Sequence, residues 1–270
     1  MNKIFSERKP EVIYNKPILR QVVCQFRFPT ILSINESSPV NFQKKIRKEF
    51  PGLDETIEKN FQFKLSPQEN SIPTPISSDQ SLFNKKNYRF FNREDNFSIN
   101  ITDRFIAFSR NSYQSWENFL NNINHPLQAF ISEYEPSYYD RIGLRFINIV
   151  NRKQLGIEEV NINELFKQEL SSTLNLVSEN EDGLQGYVTD IRYCIDAKQP
   201  DILIHTILKL VSDPIDGEKN CLLFDYDIYS TNQIKIDAGN EKLEEIHHYS
   251  WNFFKWAISE KLNKAMDPNE

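Results

Sequence analysis

Tyr139-Asp140-Arg141-Ile142-Gly143-Leu144-Arg145-Phe146-Ile147-Asn148 decides the reading of the fold, because its pattern recurs near the start of the chain. Apolar side chains alternate from Ile142 through Leu144 to Phe146, the two-residue period of a strand with one buried face, which puts Arg141 and Arg145 on the other side. Val22, Cys24, Phe26 and Phe28 alternate in the same way, with Gln25 and Arg27 opposite. Phe26-Arg27-Phe28 can be laid on Leu144-Arg145-Phe146 as two copies of one strand.

Outward from each copy the chain repeats one order of elements. After the first strand, Ser38-Pro39 and then Phe42, Ile46 and Phe50 predict a short amphipathic helix with a basic outer face, stopped by Pro51. Phe61, Phe63 and Leu65 predict a strand, and the Ser- and Pro-rich stretch 66–81 an extended or disordered loop. Strands at 88–91, 97–101 and 105–109 make an antiparallel meander. Trp116, Phe119, Leu120, Ile123, Leu127 and Phe130 then trace one face of a long helix, which Pro126 is expected to kink or break.

The series restarts at Ile142. Asn161 with Glu164 resembles a capping arrangement, and Ile162, Leu165, Phe166 and Leu170 give a second short helix its apolar stripe. Strands follow at 187–195, 202–211 and 221–229, and a helix over 241–266 with acidic first turns and Lys261 and Lys264 in its last. Ser115-Trp116 with Phe119 reappears as Ser250-Trp251 with Phe254, which this reading places at the opening of each long helix. The strand copies lie 118 positions apart and the helix copies 135, a difference assigned to an insertion between Tyr229 and Glu241. The expectation is an α+β fold: an arm at 1–16, a first half at 17–136 and a second at 137–270. Each half runs strand, short helix, antiparallel strands, long helix, and together they form a curved antiparallel sheet with helices on one side.

Composition narrows the function classes. With 270 residues, 39% hydrophobic and 13% aromatic, the chain can bury a core without staples and is no disordered segment. A net charge of -6 argues against a generally basic nucleic-acid binder. Cys24, Cys194 and Cys221 fit neither a disulfide framework nor a zinc site and read as buried thiols in a reducing cytoplasm. No signal-peptide core opens the chain and no apolar run approaches the roughly 20 residues of a membrane span, so a soluble cytoplasmic protein is expected.

The early Pro17-Ile18-Leu19, the Tyr113 and Trp116 pair, the strand from Arg141 to Asn148 and the late Leu223-Phe224-Asp225-Tyr226-Asp227-Ile228 carry a family resemblance over most of the chain. On these residues the chain resembles a sporadically distributed, uncharacterised family of bacterial and archaeal proteins of about this length. That resemblance implies no catalytic residue. The duplicated order also resembles the saddle of the TATA-binding-protein class, in which two copies build one curved sheet with helices on its convex side.

Candidate site residues follow from the strand faces. Asp225 and Asp227 share a face and could hold a cation or work as acid and base, or else simply pair with arginines. Arg27, Arg141, Arg145, Asp190 and Arg192 also fall on polar strand faces, where they could bind an anionic or zwitterionic ligand or satisfy one another across neighbouring strands. The face of Asn148 is left open by a register change after Phe146. His125, His205, His247 and His248 assemble no metal site, and no phosphate loop, dinucleotide fingerprint or nucleophile elbow occurs. Lys85, Lys86, Arg89 and Arg93, interleaved with Tyr88, Phe90 and Phe91, are the better of two nucleic-acid candidates, the other being Lys44, Lys45, Arg47 and Lys48.

No cofactor or metal is expected. The leading expectation is a non-enzymatic interaction or assembly module for a protein partner or a second copy. A ligand sensor or metal-dependent enzyme using the polar sheet face, and a nucleic-acid-binding saddle, are the alternatives.

Overall fold

A computed structural model describes residues 10–57, 86–94, 96–111, 113–177, 183–196 and 199–269. The expected strand at Phe61 to Leu65, the stretch 66–81 and Lys85 lie outside these residues. In chain order come β1 (Leu19–Arg27), α1 (Ser33–Glu36), α2 (Val40–Ile46), β2 (Gly52–Ile57), β3 (Lys86–Asn92), β4 (Phe97–Ile101), β5 (Phe105–Arg110) and α3 (Trp116–Tyr134). Then follow β6 (Arg141–Val150), α4 (Arg152–Leu155), α5 (Gln168–Ser171), β7 (Val188–Asp196), β8 (Gln199–Val211), β9 (Cys221–Ser230), α6 (Gly239–Ala257) and α7 (Glu260–Ala265).

The fold is α+β, built on one curved antiparallel sheet of nine strands in the order β2-β3-β4-β5-β1-β6-β9-β8-β7. The two strands singled out by their pattern are central neighbours: Val22 pairs with Phe146, Cys24 with Leu144 and Phe26 with Ile142. From that pair β5, β4 and β3 run outward on one side and β9, β8 and β7 on the other, with β2 added beyond β3.

Alternation sends one side chain in two to a face covered by helices. Phe42 of α2 meets Phe90, Phe119 and Phe130 of α3 meet Phe97 and Phe28, and Phe253 of α6 meets Phe224. Each fully buried side chain of this size contributes roughly 1.5–3 kcal/mol, against about 0–1 kcal/mol for an exposed ion pair. The aromatic wedge between sheet and helices therefore holds the molecule together, and one continuous core spans both halves.

Several local expectations give way to tertiary context. Pro126 sits inside α3 without ending it. Its ring is buried within the layer that packs on the sheet, and this packing supports the helix across the missing N–H. The last helix is two: α6 stops at Ala257, Ile258 is extended, and Ser259 caps α7 by accepting from the Leu262 N–H at 3.1 Å.

Ser115 does open α3, accepting from the Asn118 N–H, but Ser250 lies mid-helix in α6 and donates to the Ile246 carbonyl at 2.8 Å. The sequence echo therefore does not mark two equivalent helix starts. The second short helix is instead a string of short turns. Asn161 makes no side-chain cap there, although Ile162, Leu165, Phe166 and Leu170 are all buried as expected.

Cys194 is exposed, unlike Cys24 and Cys221, because it falls on the helix-free face of the edge strand β7. Asn148 turns to the helix side, 2% exposed, where its amide donates to the Phe224 carbonyl at 3.0 Å. A register shift between Leu19 and Gln21 in β1 puts Leu19 opposite it. No helix among the described residues is long and apolar enough to cross a membrane.

Candidate functional site

Among the described residues one face of the sheet carries no helix, and there most of the charged residues expected from the sequence are paired. Arg145 Nε donates to Asp225 Oδ1 at 2.8 Å while its Nη2 donates to Oδ2, a two-pronged contact between β6 and β9. Burial works against the Arg145 charge, but the hydrogen bond and charge of Asp225 outweigh it and raise the guanidinium pKa further. Arg141 Nη2 donates to Asp227 Oδ2 at 2.6 Å and Nη1 to Gln25 Oε1 at 2.8 Å, and its guanidinium lies 4.5 Å from the Tyr229 ring centroid.

Arg141 reaches that position by lying across Gly143, where a Cβ would stand 2.4 Å from Nη1. A glycine inside a strand is otherwise a poor choice, and here it is the seat of a guanidinium. Asp190 pairs with His205 at 2.8 Å, Arg192 is exposed opposite His205, and Arg27 pairs with Asp140 at 2.6 Å at the end of β1. The arrangement is a row of ion pairs across adjacent strands. Asp225 and Asp227 engage different arginines, and among the described residues no three acidic, histidine or cysteine side chains are placed to hold a metal ion.

The basic cluster on β3 is likewise engaged. Lys86 faces Glu55 at 3.4 Å and Arg89 faces Asp54 at 3.7 Å, both on β2, a strand that the sequence pattern does not announce. Tyr88 and Phe90 point into the core.

On the helix side lies a feature that sequence reasoning missed. Residues 10–16, set aside as part of a polar arm, run back along α6 and join the C-terminal tail. Asn15 N–H donates to the Asp267 carbonyl and Lys16 N–H to that of Met266, both at 2.9 Å, and Asn269 N–H donates to Ile13 at 2.8 Å. The Trp251 indole donates to the Pro10 carbonyl at 2.9 Å. Beneath the arm is a cleft of about 390 Å³, between the start of α3, the sheet and the second half of α6.

Its walls are aromatic. Phe146 and Tyr226 stack at 5.2 Å on the floor, with Tyr113 edge-on to Phe146 at 6.3 Å. On the other side Trp251 stacks on Phe254 and Tyr14 stands edge-on to Phe254 at 6.2 Å. Polar groups converge among these rings: the buried Asn148 and His247, and the hydroxyls of Tyr14, Tyr113 and Tyr226.

Burial raises all three phenol pKa values, that of Tyr14 to about 12 and those of Tyr113 and Tyr226 further, so each stays a neutral donor at physiological pH. His247 stacks flat on Trp116, centroids 3.9 Å apart, and its Nδ1 lies 3.7 Å from Glu11 Oε1. Trp116 Nε1 donates to both Glu244 oxygens at 3.0 Å. A second hollow, about 430 Å³ between the end of α3 and the start of α6, is poorer in chemistry: its only buried polar lining side chain is Tyr139.

The sequence did carry two signals for the cleft. Val12, Ile13 and Tyr14 are apolar interruptions of a polar arm, and the Tyr113 and Trp116 pair flanks the cap of α3. Compared with models of protein families the chain matches none, and it matches no curated protein either. The class of protein is thus defined by architecture and site alone: an α+β sheet protein with a ring-lined cleft under its N-terminal arm.

Two outcomes follow. Gly143→Ala is expected to dislodge Arg141 and cost roughly 1–2 kcal/mol in urea denaturation, the scale of charged hydrogen bonds discounted for partial exposure. Because both changes remove one contact set, Arg141→Ala should cost little more in the Gly143→Ala background, and fully additive losses would refute the arrangement.

The second concerns alkaline pH. Tyr14, Tyr113, Tyr134, Tyr139, Tyr193 and Tyr226 all have folded pKa values raised by burial above the unfolded value near 10. Their stabilisation is complete below about pH 10 and is lost as pH rises through the folded values. Tyrosinate absorbance from these six should appear together with loss of the circular-dichroism signal. Ionisation of all 11 tyrosines near pH 10 with the fold intact would contradict the burial.

Proposed function

We propose that the chain is a binding protein rather than an enzyme, and that the cleft beneath the N-terminal arm takes a small molecule. One observation carries this reading: three neutral phenols, an amide and a stacked imidazole converge inside an aromatic cleft of about 390 Å³. A mostly apolar concavity with a few placed polar groups is the usual form of a small-ligand site. On the sheet face, by contrast, Arg141, Arg145, Asp225 and Asp227 already pair with one another. Internal duplication belongs to the same proposal. In support, the strands run outward from β1 and β6 in corresponding order, and α3 and α6 each follow the last strand of their half, as in a two-copy saddle. The cleft then sits where the start of one copy's long helix meets the other copy's strands.

The test is a titration with the neutral dye N-phenyl-1-naphthylamine, whose fluorescence rises in apolar surroundings. Wild type should give a saturable rise, and Val12→Trp, which fills the cleft from the arm, should weaken it at least about fivefold, the scale of a kilocalorie of steric conflict. No rise in wild type, or equal affinity in a folded Val12→Trp, would sink the proposal.

A second reading keeps the open sheet face as a contact surface for another copy of this chain. Half-buried Val23, Ile147, Leu203, Ile207 and Leu223 lie among the paired charges there, and both signs occur on neighbouring strands, as a self-complementary two-fold contact requires. Light scattering should show a dimer in wild type that Ile147→Glu abolishes. A wild-type monomer at tens of micromolar would remove this reading.

A further inference from the structure

The charge around the cleft and the angles between its rings specify a ligand class. Two pairs of lining rings meet at steep angles, Tyr113 to Phe146 at 81° and Tyr14 to Phe254 at 77°, so the rings around the space are set at more than one inclination. Ring faces carry negative charge density and attract cations, most strongly where water is excluded. One cation of the protein already uses the outer end of this array: Lys255 Nζ lies 5.5 Å from the Tyr14 centroid and 5.9 Å from that of Trp251, and it donates to the Tyr14 hydroxyl at 2.9 Å and to Asn263 Oδ1 at 2.6 Å.

Carboxylates supply the complementary charge. Glu11 stands on the arm at the mouth, 46% exposed, and Glu244 lies behind Trp116. Burial first, and then the negative charges of Glu11 and Glu244, hold the Tyr113 phenol in its neutral form. Against them stand Lys255 and, when protonated, His247. Among the described residues that line the cleft, Glu11 is the carboxylate at its mouth, so an anion would have to enter past it.

We propose that the cleft binds an organic cation, an amine or quaternary ammonium group, held among the rings of Tyr113, Phe146, Tyr226 and Trp251 with Glu11 as its counter-charge at the entrance. This rests on the reading of the cleft as a small-molecule site. The Tyr113 and Tyr226 hydroxyls would hydrogen-bond a hydroxyl or carbonyl on the same ligand, and the volume suits a small metabolite rather than a peptide segment.

The discriminating pair of probes is choline and its uncharged isostere 3,3-dimethylbutan-1-ol, titrated into the full chain with Trp251 fluorescence and calorimetry as readouts. Choline should bind at least about fivefold more tightly than the alcohol, the low end of a desolvated cation–ring contact. Glu11→Gln should lose most of that preference, weakening choline more than the alcohol, and Tyr113→Leu should do the same. Equal affinities, or no choline binding at millimolar concentration while the neutral dye still enters, would overturn the cation assignment and leave the cleft reading standing. Failure of the dye as well would overturn both.

Discussion

The pairing of β1 with β6 is the constraint from which the rest of the structure follows. An antiparallel sheet fixes which residues share a face, because a slip of one position would send every side chain to the wrong side. With Cys24 opposite Leu144 and Phe26 opposite Ile142, the fully buried residues Val22, Cys24, Phe26, Ile142 and Leu144 all face the helices, and Val23 and Ile147 are left half-buried on the other side. The neighbours β5 and β9 inherit that register, and α3 and α6 then have one place to lie. The same pairing brings Phe146 and Asn148 beneath the arm.

That register also explains the charged face. Arg145 stands opposite Asp227 in the ladder yet engages Asp225, and Arg141 takes Asp227 by crossing Gly143. Both contacts are diagonal, which lets two arginines and two aspartates on adjacent strands satisfy one another without crowding. A sheet with one face uncovered needs polar side chains there, and pairing them across strands keeps unpaired charge from being half-buried. Arg141, Arg145, Asp225 and Asp227, which look most like a site in the sequence, find partners in one another.

How much was legible follows from what each signal measures. Strands with one wet face announce themselves through a period of two, so β1, β3 to β6 and β9 could be read from the alternation around Phe26, Phe90, Ile99, Phe108, Leu144 and Phe224. β2 could not: Gly52 to Ile57 carries Asp54 and Glu55 on an edge where burial imposes little pattern. Pro126 does not break α3, because propensity describes an isolated helix, whereas α3 is held by Phe119, Phe130 and Leu127 against the sheet. The cleft was the least legible part. Its lining comes from positions as far apart as Glu11, Tyr113, Phe146, Tyr226 and Trp251, and no periodicity within one element reports that they converge.

The way the arm is held bears on how such a cleft would be entered. Its described ties include three backbone hydrogen bonds to the C-terminal tail, the Asn15 amide's bond to Asp267, one indole bond from Trp251, the Tyr14 hydroxyl's bonds to Lys255 and Asn263, and the approach of Glu11 to His247. None of these ties belongs to the nine-strand ladder. Tyr14 belongs to both the latch and the wall, and Glu11 to both the arm and the mouth. A molecule seated against Phe146 and Tyr226 would touch arm and sheet together, and its binding free energy would add to the closed state alone.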